Sequence, residues 1–359
     1  MAIEEEDSSM HQQTRKPLRH VIITGGAGFI GSQISARFLK EKTRVTVLTR
    51  NVSAPRATAL VQQGCKVMAC DFSDPHRIPR PDALEPADML FHFAADVSVS
   101  SPTLQAANVD GTSRAVALAD ALAIPYVVYA SSIEAQGLGS ESEIPLREDR
   151  ACRPVSDYGR SKANAEEIVT AWGSQPGHRA LVLRIGNIYG PGSAWFLHPS
   201  LLALLGATPV REIWPQLRHR LFQPLFIDDL VEGLWRSIDR RIAGTYNITG
   251  EEQVTVEGYV SRLASLTQLT DRLQLMYASA ARSGRSLTIA PDFAYVLMGT
   301  QEQCHRAYDN SKLRAEIGPY ARWSLSRGLA ATLRWYDTSG QLPALLAALR
   351  RQPGAMTCM

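Results

Sequence analysis

The sequence predicts an α/β fold, a doubly wound parallel sheet followed by a smaller C-terminal substrate-binding portion. Three observations carry that prediction. Short β-branched runs alternate with helical stretches as far as Arg184, a glycine-rich turn follows the first run, and Tyr158 and Lys162 stand one helical turn apart. Alternation of this kind specifies a parallel sheet with helices on both faces, and such sheets bind ligands outside the carboxyl ends of their strands.

The first strand is His20–Thr24 (HVIIT), β-branched, apolar and followed at once by glycines. Gly25-Gly26-Ala27-Gly28-Phe29-Ile30-Gly31 comes next, then a helical stretch from Ser32 to Lys40 with apolar Ile34, Phe38 and Leu39. Strand, glycine turn and helix stand in the order of the Rossmann dinucleotide fingerprint. Gly26 and Gly28 let the backbone approach a pyrophosphate, and Gly31 lets the helix pack close on the sheet. The pyrophosphate then sits on the helix N-terminus, where unpaired N–H groups and the helix dipole favour an anion. The second strand, Arg44–Leu48, ends on Thr49-Arg50-Asn51. An NAD site usually places an acid there for the ribose 2′-hydroxyl, whereas an Arg accommodates a 2′-phosphate. The expected cofactor is therefore NADP, with Arg50 on the 2′-phosphate; NAD stays open.

Further strands follow at Lys66–Ala69, Met89–Phe93, Tyr126–Ala130 and Leu181–Arg184, and helices near Thr103–Ala123 and Ser156–Trp172. On the second of these helices Tyr158 and Lys162 share a face. A free Tyr titrates near 10; an adjacent ammonium favours the phenolate and lowers that value, which brings Tyr158 towards acid/base work. A serine hydroxyl from Ser131-Ser132 can hold and polarise a substrate carbonyl beside it. The C-terminal third mixes helices with short strands, including Gly244–Thr249 and Asn310–Leu313.

The 359 residues divide into a mobile leader (1–18), a dinucleotide-binding Rossmann domain (19–190, with returning segments near 220–250), a mainly substrate-binding portion (191–350) and a loose tail (351–359). With 45% hydrophobic and 20% charged residues the chain can build a full core. Its net charge of +3 is too small to argue for nucleic acid or an anionic membrane. No apolar run approaches the roughly 18 residues of a spanning helix, and no signal-peptide pattern opens the chain. Cys65, Cys70, Cys152, Cys304 and Cys358 form no CxxC pair, so reduced thiols and a cytoplasmic setting are expected. The histidines show no HxH or HExxH spacing, which argues against a metal site.

The motifs taken together resemble those of the extended short-chain dehydrogenases/reductases, also called the NAD-dependent epimerase/dehydratase family, from about His20 to Tyr336. Thr24–Gly31 is similar to the family's TGGxGFIG, Phe91–Ala95 to its hxhAA segment, Asn108–Thr112 to NxxGT, Arg184–Gly192 to RxxNxYGPG and Phe226–Leu230 to hhDDh. The resemblance implies that Gly25, Gly28, Phe29, Ile30, Gly31, Ala94 and Ala95 border the cofactor, with Asp71 and Phe72 at its adenine. By spacing to Tyr158, the catalytic serine is Ser132 rather than Ser131. Tyr158 would move the proton on the reacting oxygen and Ser132 would orient that oxygen. Lys162 would hold the nicotinamide ribose and depress the Tyr158 pKa, and Asn108 would support the proton relay. A homodimer is also implied, built on the Asn108 and Tyr158 helices, although their apolar stripes (Val116, Leu118, Leu122; Ala165, Ile168, Val169) equally suit packing on their own sheet.

The reaction is narrowed less. Sugar dehydratases of the family carry an Asp-Glu pair after the catalytic residue, where this chain has Ile133-Glu134, so one carboxyl is missing. Nucleotide-sugar members commonly end RDFIYVDD before the late acids. Here Phe222-Gln223 replaces the Arg-Asp, although Arg218 or Arg220 remains within reach of a diphosphate. Trp195, Phe196, Trp214 and Phe222 point to a more apolar pocket, with Glu134, Asn187 and Arg220 as further lining candidates. The leading expectation is an NADP-preferring ketone reductase or alcohol dehydrogenase acting on a moderately apolar small molecule. A nucleotide-sugar 4-epimerase or 4-ketoreductase with tightly held NAD is the alternative, and a non-catalytic NADP-binding sensor the remote one.

Overall fold

A computed structural model of the chain describes residues 18–98, 101–193, 218–268 and 305–340. The expected leader and tail fall almost wholly outside these described residues, as do Trp195, Phe196 and Trp214. Seven parallel strands form one sheet: β1 His20–Thr24, β2 Arg44–Thr49, β3 Lys66–Ala69, β4 Met89–His92, β5 Tyr126–Ser132, β6 Arg179–Ile185 and, after three short strands β7 Asn187–Tyr189, β8 Leu221–Phe222 and β9 Pro224–Phe226, β10 Gly244–Ile248. Their order is β10-β6-β5-β4-β1-β2-β3. The connections reverse direction between β1 and β4, which is the switch point where doubly wound sheets bind ligands.

Every residue of β1 and β5 is buried, as expected of strands covered on both faces. Successive side chains point to opposite faces, so Val21 and Ile23 join one core layer with Phe38, Leu230 and Leu234, while Ile22 joins the other with Ala115, Val169 and Trp172. The register pairs Thr24 with both Leu48 and His92, and Ile185 with both Ser132 and Ile248. Those pairings bring the ends of six strands to one edge of the sheet.

The first helix, α1 Phe29–Lys40, starts directly after the glycine turn. Helix α2 covers Pro55–Gln62, with Pro55 at its first turn, where the missing N–H costs nothing. The stretch expected as one helix over Thr103–Ala123 has two forms. Gln105–Asp110 is π-helical and carries Asn108, and α3 covers Gly111–Ala121. After β5 comes a single helical turn, α4 Ile133–Gln136, and then α5 Asp157–Gly173, capped by the Ser156 hydroxyl accepting from Gly159 N at 2.8 Å. The apolar stripes of α3 and α5 face their own sheet: Val116, Leu118, Ala165 and Val169 are buried in the second core layer, with Leu122 and Ile168 against it.

The C-terminal part corrects one expectation. Asn310–Leu313 is not a strand, since Ser311–Ile317 is a helix with Asn310 at its N-cap position. Ser-Lys-Leu-Arg-Ala-Glu-Ile is rich in helix formers, Leu313 and Ile317 are buried one turn apart, and Gly318 ends it at φ +74°. Strands β8 Leu221–Phe222 and β11 Val254–Thr255 pair antiparallel, and β7 pairs with β9. Bridges from His305 to Gly139 and from Tyr308 to Leu146 lay the segment before that helix along the chain that follows α4.

Candidate active site

The glycine turn is shaped by close backbone approach. Gly25 has φ +64°, and a Cβ there would lie 2.6 Å from Ala94 N. A Cβ on Gly31 would lie 2.4 Å from Gly25 O and 2.6 Å from Gly26 Cα, so helix α1 packs on the turn only through bare glycine. Ser32 N donates to Gly28 O at 3.1 Å, and the turn faces a cavity of about 720 Å³ at the carboxyl edge of the sheet. That volume lies within the ~300–1,000 Å³ of small-molecule and cofactor sites. Gly25, Gly28, Phe29, Ile30, Gly31, Arg50, Asp71, Phe72, Ala94, Ala95, Ser132, Glu134, Tyr158, Lys162 and Asn187 all line it.

At one end lie Thr49, Arg50 and Asn51. Burial alone would raise the Asp71 carboxyl, but hydrogen bonds from Ser73 at 2.6 Å and 3.0 Å, with Arg50 and Arg77 nearby, bring it below its ordinary value. Arg56, which no local pattern singled out, lines the same end and donates to Gly192 O at 2.9 Å. It thereby ties α2 to the turn after β7.

At the other end the two serines part. Ser131 Oγ turns into the core and donates to Glu166 Oε1 at 2.5 Å. Ser132 Oγ accepts from Glu134 N at 3.2 Å and is hydrogen-bonded to the Tyr158 phenol. Burial pushes the Tyr158 phenol well above its ordinary value, the Glu134 carboxylate adds to that, and the Ser132 hydrogen bond opposes it. The expected depression by Lys162 is therefore not found. Its Nζ lies 6.0 Å from the Tyr158 ring centroid and donates instead to Ala130 O at 2.7 Å and Tyr129 Oη at 3.2 Å. Buried to 3% exposure, Lys162 is itself pushed down to about 7, with Glu166 partly restoring it.

Asn108 does not line the cavity. Its Nδ2 donates to Asp96 O and to Ser161 Oγ, both at 2.9 Å, and its Oδ1 accepts from Asp96 N at 2.7 Å. It pins the loop after β4 to α5, one residue before Lys162. Phe222 packs edge-on against Tyr259 in the core, and Arg220 is buried beside β8, neither of them in the cavity lining. The apolar wall expected from those aromatics is thus not built by Phe222. Glu134, which lines the cavity, is ion-paired with Arg306, which does not: Arg306 Nη2 lies 2.9 Å from Glu134 Oε1, with side chains 7% and 14% exposed. The two residues are far apart in sequence, and only the bridged segment from His305 to Tyr308 brings them together. No cluster of three or more potential metal ligands occurs among the described residues, and no described helix is long and apolar enough to cross a membrane.

The chain belongs to the NAD dependent epimerase/dehydratase family, whose model matches residues 21–249. It is similar to a putative UDP-arabinose 4-epimerase 4 of Arabidopsis thaliana, 27% identical over 194 residues, which are 51% of this chain and 44% of that protein. The chain thus spans about half the length of the first curated relatives it matches. Two others are covered almost in full: dTDP-L-rhamnose 4-epimerase of Burkholderia thailandensis, 24% identical over 88% of this chain and 94% of that one, and a putative dihydroflavonol 4-reductase of Synechocystis sp., 26% identical over 89% and 94%. Among solved structures, MoeE5 in complex with UDP-glucuronic acid and NAD shares the fold, with TM-score 0.69, 24% identity and coverage of 89% of this chain and 99% of that one.

Proposed function

We propose that the protein is a nicotinamide-dinucleotide enzyme that epimerises a secondary carbinol of a nucleotide-linked sugar. The observation that carries this reading is the convergence, in one cavity, of the glycine turn with Ser132, Tyr158, Lys162, Asn187 and Glu134, the last ion-paired with Arg306 outside the lining. Charged and amide groups suit a polyhydroxylated substrate better than an apolar ketone. The 4-epimerases among the relatives support the same choice. Of the aromatics behind the expectation of a reductase for a moderately apolar ketone, Phe222 packs in the core, while Trp195, Phe196 and Trp214 lie outside the described residues.

The residues present fit a dinucleotide. Side chains at Gly25 or Gly31 would collide with backbone, and the turn leads into the N-terminus of α1. When bound, the nicotinamide gives and takes the hydride. The rest falls to the chain. Tyr158, held neutral by burial and by Glu134, is set to give a proton to a substrate carbonyl and to recover it in the reverse step. Ser132 shares a hydrogen bond with the reacting oxygen. Lys162, when protonated, places a positive charge near the developing phenolate and would offer its remaining N–H to the ribose. Glu134 accepts from a sugar hydroxyl while Arg306 holds its other side at 2.9 Å. Ile133 is buried against Leu146 and Tyr308, so no second carboxyl stands where dehydration would use one.

A second reading has its own support: β2 ends on Thr49-Arg50-Asn51 without an acid, which favours NADPH and a ketone reductase that exchanges its cofactor. One experiment separates the two. Mass spectrometry of cofactor retained through gentle purification, followed by incubation with UDP- and dTDP-sugars, is expected to find bound NAD and 4-epimer formed without net oxidation. A chain that emerges empty, binds NADPH in preference to NADH and leaves these sugars unchanged overturns the epimerase reading.

A further inference from the structure

Beneath the cavity floor lies a buried polar network. Lys162 Nζ donates to Tyr129 Oη at 3.2 Å and stands 4.7 Å from the Tyr129 ring centroid. The Tyr129 hydroxyl is hydrogen-bonded to Thr112. Thr112 Oγ1 donates to Asn108 O at 2.5 Å. His92 Nε2 lies 3.1 Å from the same Thr112 oxygen, and its Nδ1 lies 2.9 Å from Thr24 Oγ1. Thr24 in turn accepts from Ala94 N at 3.1 Å. Only one arrangement satisfies every group: Thr24 donates to Nδ1, and a neutral His92 donates from Nε2 to Thr112. Burial, with Lys162 nearby, pushes His92 down to about 3, which holds it in that neutral form. Its ring stacks on Tyr129, 5.8 Å between centroids at 20°.

We infer that Tyr129, oriented by Thr112 and His92, is a positioning residue that fixes the Lys162 ammonium against β5 and joins it to the Ala94 loop of the dinucleotide cavity. The inference rests on the role proposed for Lys162. With Ala130 O and Tyr129 Oη each taking one N–H, a single N–H of Lys162 is left for a ligand, and its direction is set by the other two. The network also runs from Ala94, which lines the cavity, to Thr112 at the head of α3.

A hydrogen bond accepted from an ammonium stabilises its charged form. The other charged and titratable groups around Lys162 are Glu166 one turn along α5, itself paired with Arg184 of β6 at 2.8 Å, and Tyr158 with Glu134 and Asp96 behind it. None of these is itself substituted in Tyr129→Phe. The test is a ¹³C NMR titration of labelled lysine Cε, with Lys162 assigned through Lys162→Met. In Tyr129→Phe the Lys162 midpoint is expected to fall by about one pH unit or more, the scale of one hydrogen bond to a charged group. Thr112→Val should lower it in the same direction, and Thr112→Ser, which keeps the hydroxyl, should restore it. The Lys40, Lys66 and Lys312 resonances report that each variant is folded. A Lys162 midpoint equal to wild type in both Tyr129→Phe and Thr112→Val overturns the inference. The readout needs no substrate, so it stands apart from whether the proposed reaction is correct.

Discussion

A phenol beside a carboxylate in a buried site is a weak acid until something else stabilises its anion, and Tyr158 is in that position. Its neighbours Ser132 and Glu134 act in opposite directions on the phenol, and Lys162 Nζ lies 6.0 Å from its ring centroid. Tyr158→Phe removes the proton carrier without opening a cavity. Cofactor affinity, read by NADH fluorescence, is expected to hold while turnover falls by roughly 10²–10⁴-fold. Near-normal turnover would remove Tyr158 from the chemistry. At this scale the sequence was legible where spacing is local. Tyr158 and Lys162 were visible as one turn of helix, and the choice of Ser132 over Ser131 matches the side chains, since Ser131 turns to Glu166. Arg306, His92 and Tyr129 were not legible as parts of the site. Arg306 meets Glu134 only through a long-range bridge, and His92 and Tyr129 look like ordinary strand residues until neighbouring strands bring Thr24 and Thr112 to them.

Elements were legible when their signal was a continuous buried run or a turn that only glycine permits. Strands β1, β4, β5 and β6 read directly as apolar runs because both of their faces are covered. The Ser311–Ile317 helix misread as a strand at Asn310–Leu313 because four residues show too little of the 3.6-residue period to outweigh a local guess. The π-helical turn at Gln105–Asp110 has no pattern of its own; it is set by Asn108 reaching both Asp96 and Ser161. The tightest element is the junction of the glycine turn with α1. Gly31→Ala places a methyl 2.4 Å from Gly25 O, and backbone rather than a flexible side chain must yield. Overpacking of this kind costs about 1–3 kcal/mol, and the displaced turn forms part of the cavity wall. The variant is expected to show a lowered urea midpoint together with a large loss of dinucleotide affinity. Full affinity in Gly31→Ala would show that the turn does not have to hold this geometry to bind.

Over the whole molecule, the burial of Lys162 and His92 makes stability depend on pH in a definite direction. Both groups have folded pKa values below their unfolded ones, about 7 against about 10.4 for Lys162 and about 3 against about 6.5 for His92. Between the two values the unfolded chain holds more protons, so stability rises with pH. For His92 that rise lies between about pH 3 and about pH 6.5, and for Lys162 it begins near pH 7. Opposing it at higher pH are Cys65 and Cys70, whose thiols burial pushes up to about 11 and about 12, because unfolded thiols ionise near ~8.5. The Lys162 contribution is therefore cleanest between about pH 7 and about pH 8. Its slope approaches, at most, about 1.4 kcal/mol per pH unit. Lys162→Met removes this contribution and leaves the thiols unchanged. Urea unfolding of both proteins is expected to show a wild-type midpoint that climbs across that window relative to the variant's. Parallel pH profiles for the two would mean that Lys162 is no more perturbed in the folded chain than in the unfolded one, and the buried ammonium at the centre of the site would lose its energetic signature.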